Sequence, residues 1–207
     1  MKLRTLKEIK DIKAKRVLLR VDYNVPLEKK ELSNGKFKIV VRDDAKIRET
    51  LPTINYLLEK GAKVILISHL GRPKGIDNNL SMEPVGAALY RFFKDGMKGA
   101  KGEEDNNPFD FISKMSGGEI VLLENLRFNA GEEKNDAKFA KYLASLADIY
   151  VNDAFSVSHR AHASVSKITK FLPSYAGLLL EKEVNILSKL LSRQQKPFVA
   201  IIGGAKI

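Results

Sequence analysis

Short runs of β-branched and leucine-rich positions alternate along the chain with longer stretches in which apolar residues recur at helical spacing. This alternation is typical of a parallel β-sheet whose strands are joined by crossover helices. The predicted strands are Arg16–Val21, Lys63–Ile67, Glu119–Leu123, Ile149–Asn152 and Phe198–Ile202. The predicted helices are Asp44–Lys60, Met82–Lys94, a stretch that begins at Asn135 or Asp136 and ends at Leu146, and Leu178–Leu191. The pattern therefore predicts an α/β fold of three layers, with a mostly parallel sheet and helices on both faces.

Three segments interrupt this pattern. Pro52 lies inside the first predicted helix, which we expect it to kink or divide, because proline lacks the N–H group that a helix interior needs. Glu28–Val41 has the turn residues Ser33-Asn34-Gly35-Lys36 at its centre and predicts a β-hairpin. Asp95–Pro108 is polar and glycine-rich without periodicity, which favours a surface loop.

The last residues of the chain have the pattern with which a domain begins. A buried strand at Phe198–Ile202 runs into Gly203-Gly204-Ala205-Lys206, and such a turn normally opens a helix whose backbone N–H groups can meet a phosphate. A buried strand without its crossover helix leaves one face of the sheet uncovered. We therefore expect residues 1–177 to form one α/β domain and residues 178–195 a connecting helix. We expect the chain to be truncated within residues 196–207, at the first strand and Gly-Gly turn of a second α/β domain.

Composition excludes several classes of protein. Hydrophobic residues make up 44% and charged residues 29% of the 207 positions, which is ordinary for a soluble globular protein and excludes disorder, collagen-like repeats and coiled coil. The absence of cysteine excludes a disulfide scaffold and a thiolate zinc site. Met1–Glu8 lacks the apolar region of a signal peptide, and no apolar run approaches the ~20 residues of a membrane span. We expect a cytoplasmic protein.

The formal net charge of +11 comes from 36 basic and 25 acidic side chains. Most of the basic residues are lysines interleaved with acidic residues, as on solvated helix faces, and no run of five or six like charges occurs. Nucleic-acid binding is therefore the less favoured explanation of the charge. Arginines clustered at strand ends would instead indicate a phosphorylated small molecule.

The glycine-rich dinucleotide fingerprint, the phosphate loop, the H-E-x-x-H motif and the nucleophile elbow are all absent from the sequence. Polar residues instead follow four of the predicted strands. These residues are Asp22, Asn24, His69, Arg72, Glu124, Arg127, Asn152, Asp153, His159 and Arg160. Ligands bind at the carboxyl ends of strands in open α/β sheets, and guanidinium groups hold phosphate or carboxylate through paired hydrogen bonds. Each fragment alone also fits a capped turn, a buried ion pair or a solvated loop. Together they predict a site for a small polyanion.

The segments around these residues resemble the phosphoglycerate kinase family. The matching segments, in order, are RVDYNVP (Arg20–Pro26), LPTINYLLEKGAKVILISHLGRP (Leu51–Pro73), LLENLRFNAGEEKND (Leu122–Asp136), ADIYVNDAF…HRAHAS (Ala147–Ser164) and GGAK (Gly203–Lys206). The resemblance implies a two-lobed, Rossmann-like kinase of glycolysis that transfers a phosphoryl group reversibly between ATP and 3-phosphoglycerate, giving ADP and 1,3-bisphosphoglycerate. It makes residues 1–177 the lobe that binds 3-phosphoglycerate and residues 196–207 the beginning of the lobe that binds the nucleotide.

The resemblance also implies roles for individual residues. Asp22 and Asn24 match the groups that hold the glycerate hydroxyl and carboxylate, and Arg127 and Arg160 match phosphate-binding arginines. Lys206 matches a lysine that faces the transferring phosphoryl group. The implied substrate-binding residues are Asp22, Tyr23, Asn24, Lys46, His69, Leu70, Gly71, Arg72, Arg127, His159 and Arg160. The implied catalytic residues are Lys46 and Lys206, and the implied nucleotide-binding residues are Gly204, Ala205 and Lys206.

Two positions depart from the family pattern. Lys46 stands where the family usually has an arginine that is thought to reach the transition state, and Ser156 stands where a glycine usually follows Asp-Ala-Phe. Arg42 or Arg48 could take over the role of the missing arginine. We expect Lys46 to hold it, because its register to the Leu-Pro-Thr sequence matches and helical geometry turns Arg48 through about 200° from it.

The implied chemistry needs no general base, because the attacking carboxylate of 3-phosphoglycerate titrates at about pH 4 and is ionised near neutral pH. Catalysis then consists of positioning the reactants and neutralising their negative charge. Mg-ATP or Mg-ADP enters as co-substrate, with most of its site expected outside this chain and no metal bound within it. We expect a monomer without nucleic-acid or membrane partners. The alternatives are a lobe that binds 3-phosphoglycerate without turnover and a basic nucleic-acid-binding protein.

Overall fold

The computed structural model describes residues 3–93, 108–192, 199, 201 and 203. The strands are β1 (Arg16–Arg20), β2 (Leu27–Glu31), β3 (Phe37–Val41), β4 (Lys63–Ile67), β5 (Ile120–Leu122), β6 (Ile149–Asn152) and β7 (Ser174–Ala176). The α-helices are α1 (Ala45–Glu59), α2 (Glu83–Tyr90), α3 (Pro108–Ser113), α4 (Ala137–Ser145) and α5 (Leu178–Ser192). Short 3-10 turns lie at Leu6–Glu8, Asn78–Leu80, Leu126–Phe128, Phe155–Val157 and Lys167–Lys170.

Five strands form one parallel sheet in the order β5-β4-β1-β6-β7. β1 lies at its centre, and Arg20 at the end of β1 pairs with Ile67 of β4 and with Asn152 of β6. The carboxyl ends of these three strands therefore reach the same edge of the sheet. The predicted α/β architecture and four of the five predicted strands are confirmed.

The hydrophobic core has one cluster on each face of the sheet, because successive side chains of a strand point in opposite directions. On one face Leu19 and Leu66 pack with apolar residues of α1 and α2. On the other face Leu18 and Ile65 pack with apolar residues of α3 and α4. Each cluster buries aliphatic side chains that are nearly inaccessible to solvent. The predicted three layers, with helices on both faces, are confirmed.

The structure differs from the sequence-based prediction in several elements. α1 continues through Pro52 without being divided, and Pro52 lies on its exposed side, where water can solvate the carbonyl group that proline leaves without an N–H partner. The short elements β7 and α3 were not predicted. The predicted loop Asp95–Pro108 lies outside the described residues except for Pro108, which begins α3. The predicted strand Phe198–Ile202 is also outside them, apart from residues 199 and 201.

The predicted hairpin is confirmed as an antiparallel pair of β2 and β3, with Leu27 opposite Val41. It forms a separate two-stranded sheet that leads from the end of β1 into α1. Within residues 3–93 and 108–192, no helix combines the length and the apolar character that crossing a membrane requires.

Candidate functional site

The candidate site begins at Arg20, the last residue of β1. Its side chain is completely buried, Nε donates a hydrogen bond to Ser164 Oγ (3.0 Å), and Nη2 lies 3.1 Å from Nδ1 of His69, two residues beyond β4. A guanidinium group can only donate. Nδ1 of His69 is therefore the acceptor, and the imidazole carries its single proton on Nε2. Burial lowers the pKa of His69 to about 3, and the neighbouring charges of Arg20 and Arg127 act in the same direction.

A buried acid, Glu132, stabilises this arrangement of Arg20 and His69. Glu132 is completely buried and accepts hydrogen bonds from Ser164 N (3.0 Å) and Ser164 Oγ (2.6 Å). Burial lowers the pKa of Arg20, and the negative charge of Glu132 opposes that effect. A buried cation requires such compensation, since its desolvation otherwise costs several kcal/mol. A continuous chain of polar contacts thus runs from Glu132 through Ser164 and Arg20 to His69 at the sheet edge.

Arg127 approaches the site from the 3-10 turn that follows β5. Its side chain is almost fully buried, Nη1 donates to the carbonyl oxygen of Gly71 (2.5 Å), and Nε lies 3.1 Å from Oε1 of Glu133. Burial lowers the pKa of Arg127, and the positive charges of Arg160 and Arg72 lower it further, against the effect of Glu133. Several guanidinium groups therefore lie near enough to repel one another, and binding of an anion among them would relieve that repulsion.

Asn125 fixes the loop after β4 that carries His69 and Arg72. Its Oδ1 accepts from Leu70 N and Arg127 N, both at 3.1 Å, and its Nδ2 donates to Leu70 O at 2.8 Å. Gly71 has φ +62°, and a Cβ atom there would lie 2.8 Å from a methyl carbon of Leu80. The left-handed backbone conformation favours glycine at this position, and any larger residue would also require the Leu80 side chain to shift.

Asp22 and Asn24 lie at the end of β1, on the side of the site that faces α1. Asn24 Oδ1 accepts from Gly71 N (2.9 Å), which ties the β1 turn to the loop after β4. Lys46 Nζ donates to Asp22 Oδ2 (2.8 Å) and to Asn24 O (3.2 Å). Burial alone would raise the pKa of Asp22, but hydrogen bonds from Lys46 and Ser156 hold it below its usual value.

The alternative cation Arg48 is engaged elsewhere. Its Nε pairs with Asp44 Oδ1 at 2.7 Å, one helical turn back, and its guanidinium lies over the ring of Phe92 at 5.5 Å. This geometry supports the expectation that Lys46, rather than Arg48, faces the site. That assignment remains a prediction, as does the alternative role of Arg42, which follows β3 directly.

The remaining substrate-binding residues implied by the resemblance divide into two groups. Arg72 and His159 are exposed, and Arg160 is half-buried. The Nε atom of Arg160 is buried and has no hydrogen-bond partner among the described residues. By contrast, Tyr23 bonds through its hydroxyl to Thr50 (2.8 Å), and Leu70 is 2% exposed, so both side chains lie in the core.

The implied nucleotide-binding residues Gly204, Ala205 and Lys206 lie outside the described residues. Within the described ranges, no three His, Cys, Asp or Glu side chains are grouped so that they could hold a metal ion. Sequence reasoning missed Arg20, Asn125, Glu132 and Ser164 as members of the site. Arg20 carried a usable signal, since it is a charged residue at the carboxyl end of a strand whose three central residues are apolar.

Comparison with known proteins agrees with the resemblance in sequence. The family model described as phosphoglycerate kinase matches residues 6–207. The chain is 51% identical over 200 residues to phosphoglycerate kinase of Dictyoglomus turgidum, covering 95% of this chain and 48% of that protein. It is 52% identical over 197 residues to phosphoglycerate kinase of a Wolbachia species, covering 95% of this chain and 47% of that protein.

Solved structures give the same result. The phosphoglycerate kinase of Coxiella burnetii aligns with a TM-score of 0.79 at 34% identity, covering 98% of this chain and 49% of that one. The phosphoglycerate kinase of Pyrococcus horikoshii aligns with a TM-score of 0.82 at 31% identity, covering 99% of this chain and 49% of that one. The chain spans about half the length of the relatives it matches.

Proposed function

The chain belongs to the phosphoglycerate kinase family, and we propose on this basis that its site binds 3-phosphoglycerate for phosphoryl transfer with ATP. For the 207 residues themselves we propose binding of 3-phosphoglycerate. We assign turnover to a protein in which they are joined to a nucleotide-binding lobe, because the chain spans about half the length of its relatives.

The observation that carries this proposal is the grouping of three arginines around one neutral histidine, with a fourth arginine near one of the three. The charges of Arg20, Arg127 and Arg160 all act on His69, and Arg72 acts on Arg127. Arginine and a neutral imidazole N–H are all hydrogen-bond donors. Such a set suits a ligand that has only acceptors and several negative charges, as a phosphorylated carboxylate does.

The proposed reaction is an attack of the 3-phosphoglycerate carboxylate on the γ-phosphorus of ATP. A bond forms between a carboxylate oxygen and phosphorus, and the bond from phosphorus to the β–γ bridging oxygen breaks, with ADP as leaving group. Because the attacking carboxylate is ionised near neutral pH, no residue needs to remove a proton. Mg²⁺ travels with the nucleotide and neutralises the charge of its phosphates.

The residues of this chain then have binding and positioning roles. We propose that Arg72, Arg127 and Arg160 hold the phosphate group of 3-phosphoglycerate, while Asp22 and Asn24 hold its hydroxyl and carboxylate end. Lys46 and Lys206 would neutralise charge around the transferring phosphoryl group. One contact of this kind contributes roughly 10²–10⁵-fold in rate.

Calorimetric titration of the chain with 3-phosphoglycerate at moderate salt tests the proposal. We expect saturable binding with one site per chain. Arg72→Ala and Arg160→Ala should each weaken it by ~1.5–3 kcal/mol, the range for hydrogen bonds to charged groups. Lys138→Ala, which removes an exposed lysine of α4, is the matched control and should leave the affinity unchanged.

Equal losses in all three variants would mean that diffuse charge, and not a formed site, binds the ligand. No heat with 3-phosphoglycerate, together with salt-sensitive retention on DNA, would favour the nucleic-acid alternative.

A further inference from the structure

Donors from two separate elements meet on one carboxylate oxygen of Asp22 at the edge of the site. Ser156, in the 3-10 turn after β6, donates its hydroxyl to Asp22 Oδ2 at 2.6 Å. Lys46, in the first turn of α1, donates its ammonium group to the same oxygen at 2.8 Å. The other oxygen of Asp22 accepts from Asn24 N at 3.1 Å. These three donors therefore fix the orientation of this carboxylate.

Lys46 needs such an anchor more than an arginine would. Its side chain is 49% exposed, whereas that of Asp22 is 14% exposed. An ammonium group is a compact charge on a flexible stem, and its position depends on the acceptors that hold it. A guanidinium fork can bind both oxygens of one carboxylate and so fixes its own geometry.

The ammonium group of Lys46 has three donors, and two of them are used. Asp22 Oδ2 and Asn24 O accept from it, and no third acceptor occurs among the described residues. A cavity of about 390 Å³ opens beside it, lined by Asp22, Lys46 and Ser156 and, toward α5, by Glu49, Lys182 and Glu183. The remaining donor therefore has no acceptor among the described residues and borders this cavity.

We propose that Ser156 is a positioning residue: its hydroxyl holds the Asp22 carboxylate in the orientation that anchors Lys46, so that the free donor of the ammonium group reaches the carboxylate of bound 3-phosphoglycerate. This inference rests on the proposed function for the identity of the ligand. It joins the two positions at which the chain departs from the family pattern into one structural unit, in which a lysine at position 46 depends on a hydroxyl at position 156.

The serine hydroxyl has a second effect when the anion arrives. An anion draws the ammonium group toward itself and weakens its bond to Asp22. Ser156 still donates a hydrogen bond to Asp22 Oδ2 when this happens, so that oxygen keeps one donor. Leaving such an oxygen without a donor in a largely buried position carries a desolvation penalty. The hydroxyl therefore makes it less costly for Lys46 to bind the ligand.

A double-mutant cycle on the full chain tests the dependence. In the natural Lys46 background, Ser156→Ala should weaken binding of 3-phosphoglycerate about three- to tenfold, and Ser156→Thr should retain most of the affinity. In the Lys46→Arg background, Ser156→Ala should change the affinity less than about twofold, because the guanidinium group holds Asp22 by itself. Equal losses in the two backgrounds would overturn the proposal, since a merely structural serine would matter in both.

A second readout needs no ligand. The NMR order parameter of the Lys46 Cε group should fall in Ser156→Ala and stay at the wild-type value in Ser158→Ala. Ser158 lies in the same loop but donates to Ala154 O (2.9 Å) and not to Asp22. An unchanged order parameter in Ser156→Ala would overturn the positioning role. Failure of every variant and of the wild type to bind 3-phosphoglycerate would overturn the proposed function instead.

Discussion

At the scale of single residues, the charge state of His69 determines what the site offers a ligand. The bond from Arg20 Nη2 to Nδ1 places the histidine proton on Nε2 and leaves the imidazole neutral. His69 thus acts as one uncharged donor among arginine cations. It can hydrogen-bond to a phosphate or carboxylate oxygen without adding a further positive charge to an already self-repelling group.

We expect His69 to remain neutral and Nε2-protonated from pH 5 to pH 8, because burial lowers its pKa to about 3. Two-dimensional ¹⁵N NMR of the imidazole in the ligand-free chain measures both the tautomer and the titration. His159, which is exposed, is the internal comparison. A midpoint for His69 near the ordinary value of about 6.5, or a proton on Nδ1, would contradict the assignment.

At the scale of elements, α5 is attached to the domain by two buried side chains at its first turn. Asp153 Oδ1 accepts from Leu179 N (2.9 Å) and Leu180 N (3.2 Å), and Thr53 Oγ1 accepts from Leu178 N (3.1 Å). These bonds satisfy backbone donors that a helix leaves without partners at its N-terminus. They connect α5 directly to the end of β6 and to α1.

Asp153→Asn should alter how stability depends on pH. Burial raises the pKa of Asp153 to about 6 from 3.8, although hydrogen bonds act against it. The folded chain therefore binds this proton more tightly than the unfolded chain. The resulting stabilisation is complete below about pH 4 and is lost as the pH rises through 6.

The unfolding free energy of Asp153→Asn, relative to wild type, should thus increase by on the order of 2–3 kcal/mol between pH 4 and pH 7. Urea denaturation at several pH values measures this difference, and comparing the two proteins at each pH cancels the titration of all other groups. A constant difference across the range would show that Asp153 titrates at its ordinary value.

Some of the helices and strands could be predicted from the sequence, and others could not. β1, β4 and β6 were predictable because each is a nearly continuous apolar run, as expected for strands buried on both faces. β7 was not, because it has only three residues and one buried side chain. The continuity of α1 through Pro52 was not predictable either, since it depends on which side of the helix faces water.

The candidate site divides in the same way. Asp22, His69 and Arg127 were predictable because they follow strands, and strand ends meet at one edge of a parallel sheet. The partners that orient them were not, because they come from distant parts of the chain. Arg20 and Ser164 are 144 positions apart, and only the folded sheet brings them together. The hydrogen bond between Ser156 and Asp22 could not be predicted for the same reason, since these residues are 134 positions apart.

At the scale of the whole molecule, the positive charge is divided between a dispersed and an organised part. The net charge is +11, yet two arginines of the candidate site, Arg20 and Arg127, are buried and hydrogen-bonded at the edge of one sheet. Dispersed lysines produce a weak, salt-sensitive attraction for any polyanion, whereas oriented guanidinium groups distinguish one anion from another.

We expect the 207-residue chain alone to bind 3-phosphoglycerate without catalysing phosphoryl transfer, because it spans about half the length of its relatives. A coupled assay for ADP formation with purified chain, 3-phosphoglycerate and Mg-ATP measures this. A relative such as the Dictyoglomus turgidum enzyme is the positive control. Turnover above the blank that disappears when Mg²⁺ is removed would contradict the expectation.

We propose that the carboxyl edge of the parallel sheet forms a binding site for 3-phosphoglycerate, and mapping of ligand-induced NMR shifts tests this most directly. Titration of the ¹⁵N-labelled chain should perturb the backbone amides of Asn24, Gly71 and Arg127 and the ring nitrogens of His69, with one common dissociation constant. Amides on the opposite edge of the sheet, such as those of Lys63 and Ile149, should not move. Shifts spread over the exposed lysines, or shifts with no common dissociation constant, would contradict the account.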